Sequence, residues 1–427
     1  MLDLSYIRNN QSEVKALVQR RHMNVDVDRL IEVDKERRRL ISEADELRAQ
    51  RNTLSDQIPK LQGEERAGRI AQVQAIKMQL SSIDAQLEPM AEEFNDLYMK
   101  VPNLLAAAVP SGKDDSDNVE VRRWGIPAVF DFKPLDHVEL GERAGLIDFD
   151  KAVKVAGAKF YFLMRDAVKL EYALIWYALG LLEQEGYTPI KAPVLAKKDI
   201  LQGTGYNPRG EETQIYSIAD TDLAMIATSE ISIAGYLTGE MLDPKAMPLK
   251  YAGISECYRT EAGSYGRFSK GLYRVHHFDK VEMFAFTKPE DSESMHESMV
   301  SVEEKVFQGL KIPYRVVDIC DGDMGGVAYR KYDLEGWMPG RGENGSYGEI
   351  TSCSNCTDYQ ARRLNIRYRA DDGSAQYVHT LNGTAIAISR ALIVLLENYQ
   401  KADGSIEIPE VLKNFMGKEL IEPTART

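Results

Sequence analysis

The stretch that decides the fold runs from Glu256 to Glu282, ECYRTEAGSYGRFSKGLYRVHHFDKVE. Its two ends are apolar enough to pair as neighbouring strands, and the middle is rich in arginine and glycine. An arginine offers a planar fork of donors that fits a phosphate, and glycines let the connecting loop double back at positive φ. The spacing therefore predicts a strand, a basic loop and a returning strand folded over a phosphate-bearing nucleotide. Arg259 beside Glu261 also suits a solvated surface ion pair, so the rest of the chain has to decide between the two.

Working outward, short strand-like runs follow at MPLKYAGI, KVEMFAF and YRVVDI, with an extended YTPIKAPVL punctuated by Pro189 and Pro193. Helical periodicity covers roughly Arg165 to Glu185, ending at Gly186, and again Ala385 to Gln400. Strands and helices without a βαβ rhythm predict an α+β domain on an antiparallel sheet. Toward the N-terminus the pattern changes. A 3,4 spacing picks out Leu30, Val33, Arg37, Leu40, Ala44, Leu47, Arg51, Leu54, Ile58 and Leu61, and a second picks out Val73, Ile76, Leu80, Ile83, Leu87, Met90, Phe94, Leu97 and Val101. Such seams specify a coiled coil. Gly63 and Gly68 lie between them and are expected to supply the reversal, giving an antiparallel hairpin over about 28–100. Arg37 and Arg51 would snorkel past the partner helix, and Pro89 would kink or open the second helix. An isolated coiled coil of this kind also serves as a dimerisation device. Residues 1–110 are expected as one domain, 111–125 as a linker and 126–427 as the main body.

Composition bounds the function. The chain has 427 residues, a formal net charge of −13 and four cysteines. Four cysteines in a chain this long fit a reducing compartment, the N-terminus lacks the apolar core of a signal peptide, and no run approaches a membrane span, so a cytoplasmic protein without membrane contact is expected. The acidic balance argues against a polyanionic partner at large, but Arg20, Arg21, Lys35, Arg37, Arg38 and Arg39 cluster locally. That cluster reads either as a guide for nucleic acid or as a helix face of paired charges.

Three further groups carry chemistry. Thr228, Ser229 and Glu230 offer a hydroxyl and a carboxylate two residues apart, which on a strand share a face and suit an ammonium or hydroxyl ligand. In YGEITSCSNCTDYQARR, Glu349 and Ser352 are oxygen donors of the kind Mg²⁺ takes beside phosphates. In HTLNGTAIAISRALIVLLENYQ, Gly383 and Arg390 stand where a strand passes into a helix, and the arginine could meet a terminal phosphate. Cys353 and Cys356 form a CxxC, but Cys257 and Cys320 do not complete a four-ligand spacing, so no zinc is expected. His276 and His277 read as packed or hydrogen-bonded histidines.

Taken together, YRTEAG, HTLNGT with its Arg390 helix and the Pro193 strand resemble motifs 2, 3 and 1 of the class II aminoacyl-tRNA synthetases. With the coiled-coil arm, TSE, FDKVE and LENYQKADGSIEIPEVL, the chain resembles the seryl-tRNA synthetases of the ordinary bacterial type over essentially its whole length. The resemblance implies a homodimer, a tRNA-binding arm and a class II antiparallel sheet flanked by helices. It also implies activation of L-serine with ATP and Mg²⁺, then transfer to tRNA(Ser), and to tRNA(Sec) where present. It places Thr228, Ser229 and Glu230 around the serine amino group, with Glu282 and Thr384 at the hydroxyl. Arg259 would bridge the serine carboxylate and the α-phosphate, Arg390 would hold the γ-phosphate, and these two would be the catalytic residues. Thr260, Glu261, Val275 and Phe278 would hold adenine and its surroundings. Glu349, Ile350, Thr351 and Ser352 would complete the ATP site, with Glu349 and Ser352 placing the metal. Two positions depart from the family pattern: Thr384 stands where Ser is frequent, and His277 where Gln is common. A paralogue loading another small amino acid onto a carrier protein, and a catalytically silent tRNA-binding homologue, are the alternative readings.

Overall fold

A computed structural model describes residues 1–206, 214–262 and 269–424. The chain divides between Pro102 and Asn103 into two compact units.

The first unit is built on two long helices, α1 (Val27–Gln57) and α2 (Gly63–Tyr98), each about 50 Å long at 1.5 Å per residue. Asp26 caps α1 by accepting from the Arg29 amide. Salt bridges Arg29–Glu93 at 2.6 Å and Arg48–Asp84 at 3.3 Å fix the antiparallel register, because the partner number falls as the first rises. Leu40, Ala44, Ile76, Leu80 and Ile83 form the buried seam, and the Arg37 guanidinium lies 5.0 Å over the Phe94 ring. The reversal differs from the expectation. A 3₁₀ turn, Ile58–Lys60, makes it, Gly63 at φ +57 opens α2, and Gly68 is an ordinary helical residue. Ile58 accordingly leaves the seam, and α2 runs on through Pro89 without a break in its assignment. Of the basic cluster, Arg38 pairs with Asp34, and Arg39 with Glu36 and Glu43, so those cations sit on a face of paired charges.

The second unit is organised by an eight-stranded sheet. Its strands are β1 (Val119–Trp124), β2 (Thr188–Lys191), β3 (Leu249–Tyr258), β4 (His277–Thr287), β5 (Tyr314–Asp318), β6 (Arg330–Met338), β7 (Ser346–Thr357) and β8 (His379–Ala387). The spatial order is β1-β5-β6-β7-β8-β4-β3-β2, antiparallel throughout except for β2 beside β3. The segment expected as a linker therefore carries an edge strand. Its polar, charged sequence reads as a loop because every residue of β1 is exposed and, among the described residues, its one sheet neighbour is β5. The hairpin of β3 and β4 pairs Tyr258 with His277, as the opening stretch predicts, while its loop residues 263–268, including Gly263 and Gly266, lie outside the described residues.

Helices α3 (Asp166–Gln184), α5 (Ser292–Gly309) and α6 (Ile388–Asn398) pack on one face of this sheet, burying Leu170, Leu174, Met299, Phe307, Leu392 and Leu396 in a single core. Gly186, just beyond α3, takes φ +81, the left-handed conformation that ends a helix cheaply only at glycine. The expected helix from Ala385 begins three residues later, since Ala385–Ala387 still belong to β8, where Ile386 and Ala387 pair with β4. Helix α4 (Ser229–Tyr236) packs beside the sheet against Phe284 and Phe286 of β4.

Candidate active site

The sheet face opposite α5 and α6 opens into a cleft whose polar lining comes from β4, β6, β7, β8 and the start of α6, with Glu230 of α4 and Arg259, Glu261 and Arg274 between β3 and β4. Along β4, Phe278, Lys280 and Glu282 recur at the strand period of two and turn to the same side. Glu282 is 2% exposed, forms a 2.5 Å salt bridge to Lys280, itself 4% exposed, and accepts from the Thr384 hydroxyl at 3.1 Å. Glu282 and Thr384 are direct cross-strand partners. A desolvated carboxylate and a hydroxyl thus sit side by side, each with capacity to bond a small hydroxyl ligand.

Deeper on the same side, the Glu230 carboxylate accepts from Gln360 at 2.7 Å and from Asn382 at 3.1 Å. Burial raises its pKa to about 7, helped by the charge of Glu282 and opposed by the Gln360 bond. Its local setting corrects the strand reading of Thr228 to Glu230. Thr228 is the N-cap of α4, accepting from the Glu230 amide at 3.3 Å, and Ser229 donates to the Gly253 carbonyl at 3.3 Å. The Thr228 hydroxyl accepts at the helix start, the Ser229 hydroxyl reaches across to β3, and Glu230 alone of the three lines the cleft.

At the other end, Arg259 lies 5.2 Å over the Phe278 ring and donates through Nε to the Ala227 carbonyl. Glu261, with φ +49, pairs with Arg274 at 3.3 Å. Thr260 stands outside the cleft lining; its amide bonds the Gln214 carbonyl. Val275 and Phe278 complete an apolar wall. Beyond them Arg390 pairs with Glu349 at 2.7 Å and rests 5.0 Å over Tyr273. Burial would raise the Glu349 carboxyl, but Arg390 and Lys331 outweigh it and hold the group at about 2. Ile350, Thr351 and Ser352 continue the lining. The Glu349 carboxylate and the Ser352 hydroxyl are hard oxygen donors, the type that Mg²⁺ takes. The four cysteines, by contrast, are buried thiols, with Cys356 taking an Asn382 amide donor.

The cleft also gathers residues that the sequence reading did not single out. Lys280 and Asn382 could have been found by stepping two residues along the strand from Glu282 and Thr384. Arg274 and Ser389 adjoin Val275 and Arg390. Lys331, paired with Asp333 at 3.2 Å, and Tyr206 gave no sequence signal.

Comparison with known proteins bears on this geometry. Residues 1–105 match the model of the seryl-tRNA synthetase N-terminal domain, and residues 215–399 match the class II tRNA synthetase core domain (G, H, P, S and T). The serine–tRNA ligase of Rubrobacter xylanophilus is 52% identical over the full length of both chains. The chain belongs to the seryl-tRNA synthetase family. That of Treponema denticola is 49% identical, covering 99% of this chain and all of that one. Among solved structures, seryl-tRNA synthetase from Pyrococcus horikoshii complexed with ATP is similar at a TM-score of 0.88 and 39% identity, with full coverage of both chains. The cytoplasmic serine–tRNA ligase of Naegleria fowleri in complex with AMP gives a TM-score of 0.85 at 32% identity, covering 100% of this chain and 99% of that one. The molecule is thus a class II aminoacyl-tRNA synthetase, a ligase.

Proposed function

We propose that the cleft joins L-serine to ATP, releases pyrophosphate, and passes the seryl group to the 3′ end of tRNA(Ser), and of tRNA(Sec) where that tRNA is present. The observation that carries this reading is the Glu282–Thr384 pair, a buried hydroxyl-recognising couple, in the same cleft as Arg259 and Arg390. The serine ammonium would lie against Glu230, its hydroxyl between Glu282 and Thr384, and its carboxylate at Arg259. Thr228 and Ser229 then act through the helix end that presents Glu230.

Phe278 would stack on adenine, Glu261 would take the adenine amino group, and Arg390 would hold the γ-phosphate. The serine carboxylate attacks the α-phosphorus in line, a P–O bond forms, and pyrophosphate leaves with the electron pair of the broken P–O bond. Arg259 and Arg390 neutralise charge that spreads over the phosphate oxygens, so the protein supplies positioning and electrostatics rather than a nucleophile. Mg²⁺ held by Glu349 and Ser352 would shield the phosphates from one another. A terminal ribose hydroxyl of the tRNA then attacks the carbonyl carbon of the adenylate and AMP departs.

The hairpin of about 28–100 would grip the tRNA, with residues 1–110 acting as the tRNA-binding part and 126–427 as the aminoacylation part. Homodimer formation is supported by α3, where Tyr172 is 59% and Trp176 61% exposed at a four-residue spacing on one helix face. Among the described residues no helix is long and apolar enough to cross a membrane, and a cytoplasmic site of action fits the buried free thiols. Serine-dependent exchange of pyrophosphate into ATP tests the first step. Serine-independent exchange, or none, would refute it.

A further inference from the structure

The two proposed Mg²⁺-facing groups pose a geometric problem, because residues three apart on a regular strand face opposite sides of the sheet. Glu349 and Ser352 nevertheless both line the cleft. The cause is a bulge in β7. Glu335 of β6 pairs with Glu349, and the next residue back, Leu334, pairs with Thr351, so Ile350 is one residue in excess. Ile350 and Thr351 both border the cleft, but their side chains consequently follow one another on the helix-packed face. Ile350 enters the core, and the Thr351 hydroxyl donates to Glu303 Oε2 of α5 at 2.8 Å.

Glu303 is an expensive residue at that place. It is 0% exposed, and among the described residues its Oε1 has no hydrogen-bond partner. Around it lie Gly383, whose absent Cβ would stand 3.0 Å from Oε1, and the apolar side chains of Met283 and Cys353. Burial pushes the carboxyl toward its neutral form. A leucine would fill such a site without desolvating a polar group. Among the described residues, the one hydrogen bond of the Glu303 side chain goes to the residue that completes the bulge.

Building on the assignment of Glu349 and Ser352 to ATP and its metal, we propose that Glu303 is a positioning residue. Its bond to Thr351 clamps the β7 bulge and so keeps Glu349 and Ser352 on one face. It touches neither substrate nor metal. Loss of this bond acts at the phosphate end, because Glu230, Glu282 and Thr384 are carried by α4, β4 and β8; Glu303 meets β4 and β8 by packing beside Met283 and Gly383, a contact that Thr351→Val leaves in place.

The test is calorimetric binding of ATP to the full chain with and without Mg²⁺, alongside the KM for serine in ATP–pyrophosphate exchange. Glu303→Leu should lower the Mg²⁺-dependent gain in ATP affinity by about tenfold, the upper range for one hydrogen bond, and change the serine KM by less than about twofold. Glu303→Gln, which still accepts from Thr351, should stay within about threefold of the parent. Thr351→Val, which removes the donor, should reproduce the Glu303→Leu loss even where Glu303→Leu fails to fold, and combining the two should add nothing. An undiminished Mg²⁺-dependent gain in folded Thr351→Val, or an equal loss in Glu303→Gln and Glu303→Leu, overturns the clamp. Glu349→Gln distinguishes the two levels: if it too keeps the full Mg²⁺-dependent gain, the assignment of the metal end is what fails.

Discussion

Replacing Glu282 tests selection of serine over alanine more sharply than any other single change. Its carboxylate accepts from Thr384 at 3.1 Å and pairs with Lys280 at 2.5 Å, and both ion-pair partners are almost wholly buried. Serine differs from alanine by one hydroxyl, so alanine in this pocket would leave Glu282 and Thr384 without that partner. A site built to bond its substrate's hydroxyl rejects the analogue lacking it by roughly 10⁴ or more. A hydrogen bond to a charged group contributes about 1.5–3 kcal/mol, so Glu282→Ala should narrow the serine-to-alanine ratio of kcat/KM by roughly 10- to 150-fold. The same change strands the Lys280 ammonium, which threatens about 3–5 kcal/mol of stability by breaking a buried pair. Glu282→Gln keeps the shape and an acceptor, and it separates selectivity from folding. The assay is ATP–pyrophosphate exchange with each amino acid, with thermal melting by circular dichroism as the folding control. A folded Glu282→Ala or Glu282→Gln protein with an unchanged serine-to-alanine ratio would refute the role given to this carboxylate.

Deleting the hairpin, roughly 28–100, should spare serine-dependent exchange and abolish tRNA charging, because the proposed ATP and serine contacts lie in the second unit; normal charging by the folded truncation would make the arm merely structural. Arg259→Ala and Arg390→Ala should each cost about 2–4 kcal/mol of transition-state stabilisation, read as single-turnover adenylate formation, while melting temperature holds. Arg390→Ala should also free Glu349, whose carboxyl then titrates at higher pH than about 2 in a carbon-13 NMR titration. Serine binding should weaken as pH falls through about 7, because burial and Glu282 raise the Glu230 carboxyl to that value and only its ionised form attracts an ammonium. A plot of the serine KM against pH checks this, and Glu230→Gln should flatten it.

Much of the architecture was legible because it depends on periodicity. The seams through Leu40 and Ile76, the β3–β4 hairpin and the helix ending at Gly186 all follow from local rules that the tertiary structure left intact. The acids and arginines of the cleft were legible as residue types, and most of them converge. The failures share a cause: backbone conformation that residue spacing cannot reveal. Thr228 to Glu230 form a helix start rather than a strand, so the two-residue spacing does not put hydroxyl and carboxylate on one strand face. Glu349 and Ser352 share a strand face only through an extra strand residue. Gly68, a plausible turn residue by composition, was absorbed into α2 because the 3₁₀ turn at Ile58 had already reversed the chain. Partners of long range, such as Lys331 for Asp333 or Glu303 for Thr351, depend on which strands and helices become neighbours.

The most direct test of the account is ATP–pyrophosphate exchange by the purified full-length chain across a panel of amino acids, followed by charging of tRNA(Ser). The account predicts exchange with serine above every other amino acid and esterification of tRNA(Ser) with serine. Preferred exchange with another small amino acid, or serine activation without any transfer to tRNA(Ser), would contradict it.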